Sequence, residues 1–159
     1  MTKIKRLPEL PSLLQMENEE VALMELDTFL NEISMYGDNL QELSDAQRTI
    51  FLNVALEREI NNGGFNQYFF NSAGDYAYQT IDSLREVGAY TMADILQEAI
   101  NLFPNGELPE DQFERQEVLE EIEGSASEKW FELDDRFLAY PENLLELNMD
   151  FIRANTDQF

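Results

Sequence analysis

Residues 61–75 read Asn61-Asn62-Gly63-Gly64-Phe65-Asn66-Gln67-Tyr68-Phe69-Phe70-Asn71-Ser72-Ala73-Gly74-Asp75. Phe65, Tyr68 and Phe69 stand at i, i+3 and i+4, which puts them on one face of a helix; alternation with period two, the mark of a strand, is absent. The two glycines before Phe65 end or sharply bend whatever precedes them, and Gly74 closes the aromatic turn. Interleaved Asn and Gln side chains have two readings. They line a recognition pocket over an aromatic floor, or they satisfy orphan backbone groups at a tight helix corner. The spacing favours the corner, and Asn61, Asn62, Gly63, Gly64, Phe65, Gln67, Tyr68, Asn71 and Gly74 are read as structural.

The helical reading extends outward in both directions. Upstream, Leu23, Leu26, Leu30 and Ile33 form an apolar stripe over residues 17–36, which Gly37 ends. Ser44 and Gln47 are spaced as a capping box for a second helix carrying Phe51, Val54, Leu56 and Ile60. Downstream, Asp75 is placed to cap a helix that stops at Gly88. Thr91 and Asp94 open another helix, which ends at Phe103-Pro104-Asn105-Gly106. Pro109 opens an acidic helix reaching Glu123, and Gly124 separates it from one capped by Ser125 and Glu128 that carries Trp130, Leu133, Phe137 and Leu138. Pro141 suits the first turn of a last helix, residues 142–155. Seven or eight helices with short connections predict an all-α single domain over residues 17–159. Residues 1–16, with two prolines and no period, read as an N-terminal arm.

Composition sets the function classes. The chain has 159 residues, 33 acidic and 10 basic, for a net charge of −23, with no His and no Cys. Phosphates and anionic lipid surfaces are repelled by such a surface, so direct nucleic-acid and membrane binding are not expected. Imidazole and thiolate chemistry is excluded outright. Leu, Ile, Val and Phe nonetheless make 45 of the 159 residues, enough for a folded core. The basic start (Lys3, Lys5, Arg6) is not followed by the apolar run of a leader or a membrane span, and the expected compartment is the cytoplasm. That start also opposes the rest in charge: residues 7–159 hold 33 acidic and 7 basic side chains. The arm therefore lies across the acidic domain or hangs free.

No phosphate-binding glycine loop and no calcium loop is present. Carboxylate pairs such as Glu57/Glu59 and Asp134/Asp135 carry no specificity among so many acids. No catalytic residue, metal site or cofactor is expected, and the chain is read as a non-enzymatic binding protein. The candidate binding residues are Glu110, Glu114, Glu117 and Glu121, at helical spacings of four, three and four. Over ~21 Å of helix the segment would present about one net charge per 3.5 Å, close to the phosphate spacing of one DNA strand.

The segment 61–74 resembles the hallmark of the DNA-mimic protein 19 family. The resemblance continues through Val87-Gly88-Ala89, Ala93-Asp94-Ile95-Leu96, Ala99, Phe103-Pro104-Asn105-Gly106, Leu133-Asp134, Phe137, Tyr140 and Glu142-Asn143-Leu144. It covers roughly residues 45–155. It implies an all-α bacterial protein without known enzymatic activity, a homodimer, and, in some members, imitation of the charge pattern of duplex DNA to occupy a DNA-binding protein. Together, charge and resemblance point to an acidic protein that occupies the basic surface of a protein partner. An immunity or inhibitor protein for a cationic toxin or nuclease has the same charge signature, as does an acidic helical domain of unrelated function.

Overall fold

The longest apolar-periodic segments become two long helices that cross the whole molecule, and the shorter ones pack around them. The structure is a computed structural model that describes residues 3–159. Its α-helices are α1 (Leu10–Leu13), α2 (Glu19–Ile33), α3 (Asp45–Phe70), α4 (Ala77–Val87), α5 (Tyr90–Ile100), α6 (Gln112–Leu138) and α7 (Leu144–Ala154), with short 3-10 turns between them and no strand among the described residues. The fold is all-α, a single body with seven α-helices among the described residues.

Helix α3 is the spine, because both of its ends are apolar but on different neighbours. Ile50, Phe51 and Leu52 pack with Leu10 and Leu13 of α1, Leu23, Leu26 and Leu30 of α2, and Met149 and Ile152 of α7. Leu56, Ile60, Phe65, Tyr68 and Phe69 pack with α4, α5 and the inner face of α6. Phe151 touches both clusters. The centre of the second cluster is aromatic: the Phe69 ring lies 5.0 Å edge-on to Phe103 and 5.7 Å from Trp130, whose indole N–H donates to the Ala99 carbonyl at 3.2 Å. Rings buried in such offset and edge-on arrangements gain about 1 kcal/mol per pair beyond their area.

Helix ends show where local signals hold and where distant residues replace them. Ser44 and Gln47 form the complete capping box at the start of α3. Gly88 takes the left-handed conformation (φ 96°) that stops α4, with the Ala89 N–H returning to the Leu84 carbonyl at 2.8 Å. Asp75 does not cap α4, and Thr91 and Asp94 do not cap α5; neither start has a side-chain cap of its own. The Glu142 carboxylate does that work at α5, accepting from the N–H groups of Thr91 (2.7 Å) and Met92 (2.9 Å). A carboxylate is favoured there by the positive end of the helix dipole.

Several expected boundaries are corrected. Helix α2 stops at Ile33 because Met35, Tyr36 and Gly37 all have positive φ, so the chain turns left-handed before Tyr36 can extend the stripe. Gly124 does not separate two helices. It lies inside α6, which runs unbroken for 27 residues. The Ser125 hydroxyl bonds back to the Ile122 carbonyl instead of capping anything. Burial explains the continuity: Leu119, Ala126, Trp130, Leu133 and Phe137 lie on one buried face across the glycine, and packing outweighs its helix cost of about 1 kcal/mol. The acidic helix starts at Gln112, capped by Asp111, not at Pro109. Helix α7 starts at Leu144 behind the Asn143 cap, leaving Pro141 and Glu142 in the preceding turn.

The basic N-terminal segment rests on the body. The Lys5 ammonium pairs with Glu42 at 2.8 Å, the Lys5 carbonyl accepts from the Gln47 amide at 2.7 Å, and Leu10 and Leu13 are buried. No helix among the described residues is long and apolar enough to cross a membrane.

Candidate functional site

The Gly63-Gly64 corner is built from three elements. Gly64 (φ 75°, ψ −171°) breaks the helical path inside α3, and this frees the Phe65 N–H to start a new turn. Asp134, reaching across from α6, accepts that N–H at 2.8 Å. The approach is so close that a β-carbon at Gly64 would lie 2.2 Å from Asp134 Oδ2. Burial raises the Asp134 carboxyl above its ordinary range, and the Phe65 N–H opposes the rise. The amides that follow are also committed. Gln67 and Asn71 both donate to Glu59 Oε2, at 2.9 and 2.8 Å.

Arg115 locks the far end of the same segment. It is fully buried, although it lies in the acidic stretch of the sequence. Its guanidinium donates to the carbonyls of Phe69, Pro109, Glu110 and Asn71 and to Asp75 Oδ1 (2.8 Å). All five N–H donors of the planar fork thus have acceptors. Gly74 is small because a β-carbon there would meet the Tyr68 carbonyl at 2.8 Å and Arg115 Nε at 2.9 Å. These side chains hold helices together, and none of the motif amides just described is left pointing at a ligand.

The acidic candidates lie elsewhere. Glu114, Glu117 and Glu121 are exposed on the outer face of α6. Glu110 is exposed too, but it precedes the Asp111 cap and so lies off the helix. Because α6 continues past Gly124, three acids that sequence reasoning left out, Glu128, Glu132 and Asp135, extend the row. At 3.6 residues per turn the six side chains from Glu114 to Asp135 project within about 60° of one another and span about 32 Å of axis. Among the described residues Glu114, Glu117, Glu121, Glu128 and Asp135 form no ion pair, and Glu132 meets Lys129 at 3.0 Å. Phe113 and Phe131 flank the row and are 77% and 69% exposed. Among the described residues no group of acidic side chains is arranged to hold a metal ion.

A family model described as DMP19-like protein matches residues 41–155, from the turn before α3 to the end of α7. The chain belongs to that family. The DMP19-like segment contains the Gly64 corner, Arg115, Asp134, Glu142 and the whole of α6, and excludes α1 and α2. No curated protein and no solved structure matches the chain.

Proposed function

We propose that this DMP19-like protein is a non-enzymatic acidic binding protein that acts as a DNA mimic, its α6 face occupying the basic DNA-binding surface of a protein partner. The observation that carries the reading is the unbroken acidic row of α6. Six carboxylates over about 32 Å are spaced ~6 Å apart along the axis, near every second phosphate of one DNA strand. Glu120 and Glu123, both exposed, add charge beside the row. A helix presents these residues with their backbone already ordered, so binding costs little further backbone entropy and the loss falls on the glutamate side chains. Membership in the DMP19-like family supports the same reading.

The test is capture from a native cytosolic extract at low and at high salt, followed by competition with DNA for whatever is retained. A basic DNA-binding protein released by salt is the expected result, because attraction between exposed charges is screened within ~8 Å at physiological ionic strength. The variant carrying Glu114→Gln, Glu117→Gln, Glu121→Gln and Glu128→Gln is expected to lose about 100-fold or more in competition with DNA, as each charge-assisted contact contributes roughly tenfold or less. Undiminished competition by that variant removes α6 as the binding face.

A further inference from the structure

A cavity lined by both apolar and charged side chains lies away from the outer row of α6, between α2, the middle of α3 and the turn before α7. Its volume is about 570 Å³, in the size range of small-molecule sites. Leu23 and Met24 of α2, Val54 of α3 and Leu145 of α7 make the apolar wall. The polar side carries Glu20, Asp27 and Glu57 against one basic residue, Arg58, whose guanidinium is already held by Asp27.

The direction of the hydrogen bonds decides what the cavity offers. Asn61 donates to the Tyr140 hydroxyl at 3.2 Å, and the Tyr140 hydroxyl donates to Glu57 Oε1 at 2.8 Å. The chain of donors therefore ends on a carboxylate. With the Asn61 and Tyr140 donors spent inside the protein, Glu57 and the neighbouring Glu20 present acceptors and negative charge to an incoming molecule. Tyr140 is fixed in this position by a left-handed backbone (φ 50°), an uncommon state for a residue with a side chain. Burial raises the Glu57 carboxyl above its ordinary range, the Tyr140 hydrogen bond opposes the rise, and Glu20 adds to it. A positive charge arriving between the two acids relieves that cost.

We infer that this cavity is a binding site for a small organic cation, an alkylamine or alkylguanidine whose charged head sits between Glu57 and Glu20 and whose stem lies on Leu23, Met24, Val54 and Leu145. A metal ion fits the site poorly, because Leu23, Met24, Val54 and Leu145 line it beside the acids and no group of acidic side chains among the described residues is arranged to hold one. An anion is repelled. The α2 wall lies outside the segment matched by the family, and the inference does not rest on the role proposed for α6.

Isothermal titration of the whole protein with n-hexylamine and with agmatine, in about 0.15 M salt to screen diffuse attraction to the surface, tests it. Saturable one-to-one binding is expected. Glu57→Gln keeps an acceptor for Tyr140 but removes the charge, and is expected to weaken binding about tenfold or more. Met24→Lys, at a side chain 63% exposed, places a competing ammonium at the mouth without touching the core and is expected to block binding. The α6 Glu→Gln variant is expected to bind as the unmodified protein does, which separates this site from the partner surface. A capped Ala-Lys-Ala peptide distinguishes the source of the cation. If it binds in a Glu57-dependent way, the cavity accepts a protein's lysine; if only the free amines do, the cavity takes a small molecule. Absence of saturable binding, or equal binding in Glu57→Gln and Met24→Lys, overturns the inference.

Discussion

At single positions, stability here depends on polar groups that reach between helices. Gly64 has to be left-handed and bare, because Asp134 fills the space where a side chain would begin. Gly64→Ala is therefore expected to cost about 3 kcal/mol, from backbone strain plus displacement of the Asp134 cap. Arg115 is the harsher case. Arg115→Met leaves the carbonyls of Phe69, Asn71, Pro109 and Glu110 without their shared donor in a buried space. The expected loss is about 3–5 kcal/mol. Arg115→Lys is expected to recover less than half of it, since an ammonium cannot serve the directions of a planar fork. Urea denaturation followed by circular dichroism reads all three. A loss below about 1 kcal/mol for Arg115→Met would mean that water replaces the guanidinium at this corner.

At the scale of helices, legibility depended on whether the deciding contact was near in sequence. The capping box at Ser44 and the stop at Gly88 are local, and both were readable as sequence patterns. The caps supplied by Glu142 to α5 and by Asp134 to Phe65 come from 50 and 69 residues away, so spacing alone could not assign them. Nothing local in the acidic stretch around Arg115 shows that this residue is buried. Its one available signal was the apolar register of Leu119, Ala126 and Trp130, which, continued backward, places it on the inner face. Gly124 is the instructive error for the candidate site. Read as a stop, it cut the acidic row in half; inside α6 it leaves the row intact from Glu114 to Asp135. A β-carbon at Gly124 meets nothing within 4 Å, and its backbone is helical. Gly124→Ala is therefore expected to stabilise the protein by about 1 kcal/mol, by lowering the entropy of the unfolded chain without strain. Thermal melting measures it. A destabilised Gly124→Ala protein would mean that the backbone at this point is not relaxed helix in the folded protein.

For the whole molecule, a charge of −23 sets self-repulsion against the apolar core, and buried carboxyls add to the same side. Asp27, Glu57 and Asp134 are all raised, each chiefly by burial, from ordinary values of 3.8 for Asp and 4.5 for Glu. Above the raised values each is charged in both states, and the folded state bears the whole cost. As the pH falls into the interval between the raised values and the ordinary ones, the folded protein takes up protons that the unfolded chain still lacks. Unfolding free energy must then rise on acidification, and the gain levels off once the unfolded chain is protonated too. Added salt is expected to act in the same direction by screening the surface acids. The urea midpoint should thus move upward as the pH falls from above the raised values toward the ordinary ones, and upward again between low and moderate salt at fixed pH. Glu117→Gln with Glu121→Gln, which removes a like-charge pair at i,i+4, should blunt the salt response at α6 and raise stability by a few tenths of a kcal/mol. Partner binding, if α6 is its face, should weaken in that same variant. Stability and binding moving in opposite directions would mean that the acidic row is kept despite its cost to the fold; both falling together would assign those two glutamates to folding instead of recognition.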